Sequence, residues 1–373
     1  LMLPLTVWMN MPSFHQADLF NDLVSSGEVD LQVVYARKLS SDRIQLGWRQ
    51  KDEAGKNETL SGFLPLKKIF YLVWSGRKRI HIVNGIWAEP KFMVALFFLL
   101  LFGCSFFIYS EAPEKTQYRS LIKLLFQKLF GAFVARRAKG LLAVSHFASD
   151  FYEKLGFAQR RIYPFGYFRS GLNDFEKEEN QEGREIIFIG QIIHRKGVDI
   201  LLKAIAPLFD EYENLRLTII GDGEEKTSLK KIVNEKGISD RVIWEGIVQS
   251  EEILSRLAKA DILVLPSRWD GWGMVINEAF SVGIPVIVSD QCGAADLVQT
   301  GVNGYIFKSE DVEDLRKQLR EFLNSRDRWK ELKQNAYETS KTISTEAVTP
   351  YLIECLKHAT GQIEKRPTPP WMK

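Results

Sequence analysis

Residues 262–278 read ILVLPSRWDGWGMVINE. A β-branched apolar run, Ile262–Leu265, is followed by a proline, an acid framed by glycines, and then helical periodicity. That order predicts a strand, a tight glycine loop and the start of a helix. Such a turn can offer the amides of Gly273, Met274 and Val275 to an anion, with the helix dipole behind them. Asp270 falls in the loop and Glu278 on the second helical turn. The two carboxylates can therefore serve opposite ends of a ligand, with a phosphate between them.

Outward from this stretch, β-branched runs recur with helical patterns between them. Leu5–Met9, Leu31–Tyr35, Ile80–Val83, Phe106–Tyr109 and Leu141–Val144 form one series. The pattern then restarts with Ile186–Ile189, Leu215–Ile220, Val242–Trp244, Ile262–Leu265, Val286–Val288 and Tyr305–Phe307. Alternation of this kind predicts parallel sheets covered by helices, an α/β class with two Rossmann-like domains. The polar stretch Arg169–Arg184 reads as the linker. The domain limits are 1–168, a linker over 169–184, 185–345 for the second domain, and 346–373 for a C-terminal helix and tail. In two doubly wound units, ligands sit at the carboxyl ends of the strands, and the motifs below lie just after strands.

The 373 residues, 45% hydrophobic and 26% charged, suit two folded domains with substantial cores. Disorder is expected only over Lys365–Lys373, where three prolines stand among few core formers. Cys104, Cys292 and Cys355 are far apart and lack ligand spacing, which argues against a metal site or disulfide framework and for a reducing cytoplasm. The net charge of +3 conceals an asymmetry: residues 1–150 carry 19 Lys/Arg against 12 Asp/Glu, and the remainder 31 against 35. A basic first half attracts an acidic partner or an anionic membrane surface. The run Phe92–Tyr109 approaches a membrane span in length, but Gly103 divides it into a buried helix and a strand. The N-terminus carries no signal-peptide pattern.

Phe188–Gly197, FIGQIIHRKG, is a strand end, a glycine turn and a basic cluster. Lys196 with Arg195 can neutralise a diphosphate leaving group, although a solvated basic loop would look the same. Ile219–Gly223, IIGDG, places glycines after another strand, a weak signal by itself. Ser289–Leu297, SDQCGAADL, has small residues that permit close approach of a loop to a ligand.

Taken in order, these motifs resemble the donor domain of retaining GT-B glycosyltransferases of family 4 (glycosyl transferases group 1). The resemblance covers about Ile186–Leu315: G-x4-R-K-G at Gly190–Gly197, GDG at Gly221–Gly223, V-x-W-x-G at Val242–Gly246, ADILVLPS at Ala260–Ser267, acids with seven residues between them at Asp270 and Glu278, GIPVIVSD at Gly283–Asp290 and G-x-N-G at Gly301–Gly304. It implies a GT-B fold with the two domains facing a central cleft and a C-terminal helix crossing back to the first. It implies a UDP- or GDP-linked sugar donor, UDP the commoner case, no divalent metal, and a glycan or lipid-linked acceptor hydroxyl in cell-surface polysaccharide or lipopolysaccharide assembly.

Residue by residue, the resemblance implies that Glu278 binds the ribose and that Asp270 binds the donor sugar beside Gly271, Trp272 and Gly273. Lys196 would meet the diphosphate near Gly190 and Gln191, with Arg195 beside it. Two positions depart from the pattern: Asp270 stands where glutamate is usual, and Gln191 where arginine commonly follows the glycine. A silent nucleotide-sugar-binding protein and a nucleotide-sugar epimerase or hydrolase are the competing readings. The absence of GxGxxG after the first strand disfavours a dehydrogenase.

The first half is less diagnostic. Ser13 and His15, after the first strand, can face the phosphates or form a capped turn. Glu111 follows a strand, where a carboxylate suits acceptor binding or proton removal. Lys115–Gly140 holds seven cations and no acid, interleaved with Leu, Ile and Phe. It reads either as peripheral attachment to anionic lipid on the inner face of the membrane or as a core-packed helix with a basic outer side.

Overall fold

In the computed structural model, residues 2–40, 54–113, 121–170 and 184–372 are described, apart from the side chains of 14–15 and 121–126. The chain divides into two compact units, Leu1–Ser170 with Ser344–Lys373, and Gly171–Ile343. The expected domain ends at 168 and 345 fall within two residues of these divisions, and most of the expected linker lies outside the described residues.

The first unit is a seven-stranded parallel sheet in the order β3-β2-β1-β4-β5-β6-β7. Its strands are β1 (Leu3–Met9), β2 (Val29–Tyr35), β3 (Lys56–Thr59), β4 (Ile80–Asn84), β5 (Ser105–Glu111), β6 (Gly140–Val144) and β7 (Ile162–Phe165). The second is a six-stranded parallel sheet in the order β10-β9-β8-β11-β12-β13. It comprises β8 (Arg184–Ile189), β9 (Leu215–Ile220), β10 (Val242–Gly246), β11 (Ile262–Leu265), β12 (Val286–Ser289) and β13 (Gly304–Phe307). Both are Rossmann-like α/β domains. In each sheet the order reverses beside the first strand, between β1 and β4 and between β8 and β11.

The apolar run 92–109 is split as expected. A helix, Pro90–Leu101, buries Phe92, Ala95, Leu96 and Leu99, and β5 buries Phe106, Phe107 and Ile108. Gly103 joins them at φ +64°, a conformation that disfavours side chains with a Cβ. Among the described residues, no helix is long and apolar enough to cross a membrane.

The C-terminal helix Thr345–Ala359 belongs to the first unit. Tyr351 Oη donates to Pro164 O at 2.9 Å, and Lys357 Nζ meets Glu28 Oε2 at 2.6 Å. The expectation of a disordered tail is corrected. Trp371 packs on Phe168 and Tyr351, with ring centroids 5.1 and 5.6 Å away, and Arg366 Nη2 donates to Ile162 O at 2.6 Å. One aromatic anchor offsets the ordering entropy of a segment whose prolines already restrict it.

The core of this unit contains a titratable group. His81 on β4 is fully buried; its Nδ1 accepts from Trp8 Nε1 at 3.1 Å and its Nε2 lies 3.0 Å from Gly76 O. Burial is the main reason its pKa falls to about 4 from 6.5. An unfolded chain therefore binds a proton here between pH 6.5 and 4 that the folded one does not, so stability is lost as pH falls through that window. The full loss is about 3 kcal/mol at 1.36 kcal/mol per pKa unit. Denaturant unfolding from pH 7 to 4 should show a steeper decline for the wild type than for His81→Gln, and equal slopes would sink the assignment.

Candidate functional site

The strand order of the second unit places the loop after β8 directly beside the loop after β11, at the point where doubly wound sheets open a crevice. The two loops are laced together. Arg268 N donates to Arg195 O at 2.8 Å, Arg268 Nη1 to His194 O at 2.7 Å, and Arg195 Nη1 to Trp269 O at 2.8 Å. Arg268 also grips both carboxylate oxygens of Asp199, at 2.8 and 2.9 Å, in the first turn of helix Val198–Ile205. Burial alone would raise the Asp199 pKa, but the bonds from Arg268 and Lys203 hold it down to about 2.

Across this lacing, Lys196 Nζ meets Asp270 Oδ2 at 2.5 Å, with side-chain exposures of 15% and 12%. The pair is possible because Gly197 lets the backbones touch. Its φ is +68°, and a Cβ there would lie 2.1 Å from Pro266 O. A similar contact explains the IIGDG motif: a Cβ on Gly221, at φ +137°, would lie 1.9 Å from Gly190 O.

The loop after β12 clamps the far side of the Asp270 turn. Asp270 N donates to Gln291 O and Gly293 N to Asp270 O, both at 3.0 Å, while Ala294 N reaches Trp272 O at 2.7 Å. Cys292 Sγ adds a contact to Trp272 O at 2.8 Å. Gly273, at φ +94°, has room for no side chain, since a Cβ would stand 2.6 Å from Cys292 Sγ. The small residues of SDQCGAADL thus seat the glycine loop. Trp272 is buried, with Nε1 bonded to Asn277 Oδ1 at 2.9 Å, so its side chain packs the turn.

The amides of Gly273, Met274 and Val275 stand at the start of helix Val275–Ser281, where Ile276 N donates to Gly273 O at 3.0 Å. Glu278 is buried within that helix, and Gln191 is exposed beside Gly190.

In the first unit, Glu111 is the last residue of β5 and accepts a hydrogen bond from Tyr167 Oη at 2.6 Å. It lines a cavity of 620 Å³ at the carboxyl ends of β1, β4 and β5, together with Asn10, Asn84, Trp87 and Ser110. Among the described residues, Asn10 Oδ1 and Trp87 Nε1 are buried there without a hydrogen-bond partner, an acceptor and a donor left for a ligand. Neither residue belongs to a motif; only the strand order brings them to Glu111. Nearby Ser145 follows β6 at φ +72° with its Oγ buried and, among the described residues, unpartnered, a strained position of the kind that clusters at sites. Ser13 closes the first turn of helix Phe14–Ser25, its carbonyl accepting from Gln16 N at 2.9 Å and Ala17 N at 3.2 Å. The His15 side chain lies outside the described residues.

Residues 171–339 match the family model described as Glycosyl transferases group 1. That match spans nearly the whole of the second unit, Gly171–Ile343. An uncharacterized glycosyltransferase of Methanocaldococcus jannaschii is 31% identical over 160 residues, 43% of this chain and 44% of its own length. A GDP-mannose-dependent alpha-(1-6)-phosphatidylinositol monomannoside mannosyltransferase of Mycobacterium tuberculosis is 29% identical over 150 residues, 38% of this chain and 39% of its own. The chain thus spans less than half the length of these curated relatives. The crystal structure of HepE of Anabaena in complex with UDP aligns over 95% of this chain and 100% of its own, with a TM-score of 0.74 at 14% identity. That likeness extends to both sheets, so the fold is that of the GT-B glycosyltransferases. In the second unit the motifs expected to act together do meet: Gly190–Gly197, GDG, the Asp270 turn and Ser289–Leu297 lie together at the reversal of strand order.

Proposed function

We propose that the protein is a retaining glycosyltransferase of family 4, which moves a sugar from a nucleotide diphosphate, UDP-linked in the favoured case, to an acceptor hydroxyl. The observation that carries this reading is the Lys196–Asp270 pair at the reversal of strand order. A lysine held by an acid and shielded from water is poised to exchange that acid for a diphosphate, whose charge grows as the sugar departs. Asp270 is then free to orient sugar hydroxyls, and Glu278 to bind the ribose. The amides of Gly273 to Val275 lie between them. In this scheme no metal takes part, and Arg195 acts mainly by bracing the Asp270 loop.

Glu111 and the 620 Å³ cavity receive the acceptor, with Asn10 and Trp87 supplying hydrogen bonds to its hydroxyls. An acceptor in cell-surface polysaccharide or lipopolysaccharide assembly, glycan or lipid-linked, fits a cytoplasmic enzyme on the inner face of the membrane. Leu129 and Phe133, 64% and 45% exposed on helix Leu121–Arg137, support a peripheral contact there. The remainder of 115–140 N-terminal to Gln127 lies largely outside the described residues.

A panel of UDP- and GDP-sugars screened by thermal shift tests the donor. The cognate sugar at 100- to 1,000-fold excess over Kd should stabilise by roughly 3 to 4 kcal/mol. NMR of the product's anomeric proton, with and without EDTA, then reads stereochemistry and metal need. Inversion at the anomeric carbon, activity lost in EDTA, or no donor in the panel giving a shift would each overturn its part of the scheme.

A further inference from the structure

A second charged recess lies in the first unit, at the amino-terminal ends of β6 and β7. Its volume is 530 Å³, and Arg136, Arg137, Lys139, Arg160, Arg161 and Arg366 line it. Glu111 pairs with Val144 at the opposite end of β6, so this recess is at the far edge of the sheet from the 620 Å³ cavity. The six cations come from three separated pieces of chain: the end of helix Leu121–Arg137, the turn Gln159–Arg161 before β7, and the C-terminal tail.

No acid lines the recess, and none of the six cations makes an ion pair among the described residues. In the second unit, by contrast, Arg268, Arg316 and Arg320 all pair with carboxylates. Two of the six have backbone duties. Arg161 Nη1 donates to Ala138 O at 2.7 Å, and Arg366 Nη2 to Ile162 O at 2.6 Å. The carboxyl ends of two helices add about half a negative charge each, well short of six positive ones. Among the described residues the Nε of Arg161 is buried without a partner, and Tyr163 Oη, also in the wall, lies 2.7 Å from His358 Nδ1. Like charges gathered this closely destabilise the fold unless an anion joins them.

We propose that this recess binds a phosphate group, at a site separate from the glycosyl-transfer machinery. Guanidinium forks match phosphate oxygens in pairs, and a cluster drawn from three chain segments can surround a tetrahedral anion in a way that a flat basic surface cannot. The phosphate comes either from a free phosphorylated molecule or from a lipid headgroup. Exposed Phe133, with the Arg137 guanidinium 5.5 Å from its ring, and exposed Leu129 one turn earlier provide an apolar approach for the second source.

The test compares the whole chain, an Arg136→Gln/Lys139→Gln/Arg160→Gln variant, and a Lys231→Gln/Lys236→Gln/Lys259→Gln control with the same change in charge. Inorganic phosphate is titrated calorimetrically, and phosphatidylcholine vesicles with and without phosphatidylglycerol are used in sedimentation. Each cation near an anionic surface contributes about fivefold in affinity, so the first variant should lose at least tenfold where the control does not. Phosphate binding lost in that variant but kept in Lys196→Ala identifies a free phosphate. Phosphatidylglycerol-dependent sedimentation lost without any phosphate binding identifies a headgroup. The proposal falls if the two triple variants behave alike with both probes, or if the wild type binds neither.

Discussion

Lys196→Ala is expected to lower kcat by about 10²- to 10³-fold, the loss typical when one preorganised stabiliser of developing charge is removed. Stability falls too, because Asp270, 9% exposed, is left as a largely unpaired carboxylate. The two effects can be separated. In Lys196→Met/Asp270→Asn neither partner is charged, so Tm should return toward wild type while kcat stays low. If the double variant regains turnover along with Tm, the pair is structural and the leaving-group role is wrong. If Lys196→Ala keeps near-normal kcat, the same conclusion follows directly. A donor-binding measurement on Lys196→Ala adds a further check: the sugar contacts proposed for Asp270 should persist, so affinity should fall less than kcat does.

Gly197→Ala carries a large expected cost to stability. A left-handed φ of +68° is unfavourable for alanine by about 1–2 kcal/mol. The added carbon would also stand 2.1 Å from Pro266 O, a backbone atom held by the proline and the strand behind it. Relief of such overpacking typically costs about 1–3 kcal/mol, so the second unit should lose about 2–5 kcal/mol in total. The change also separates the loops that hold Lys196 and Asp270, and activity should drop with stability. Denaturant unfolding would show it, with Gly237→Ala as the comparison. Gly237 has a similar φ of +67° but nothing within 4 Å of its Cβ position, so only the backbone term applies. Equal losses at the two glycines would mean that the loops part easily and that the crossing is not rigid.

The elements most legible in sequence were the buried parallel strands. Runs such as Ile262–Leu265 and Val286–Val288 are buried throughout, and continuous apolar, β-branched character is what that burial selects. The two strands outside the expected series are edges. Lys56–Thr59, KNET, is mostly exposed, while Ile162–Phe165 contains Pro164, which only an edge tolerates. The tail escaped notice because its anchors, Arg366 and Trp371, have partners that lie far away in sequence.

The site divides along the same line. Local spacing by itself determined the glycine turn at Asp270, the basic turn at Lys196 and their placement after strands, because strand, turn and helix propensities act over a few residues. Only the tertiary structure decided that these turns share an ion pair, that Cys292 to Ala294 clamp the Asp270 loop, that Asn10 and Trp87 join Glu111, and that six cations meet at the amino ends of β6 and β7. Each of those contacts joins residues brought together by the order of strands in a sheet. That order is set by which buried faces pack together across the whole domain, and no local stretch of the chain encodes it.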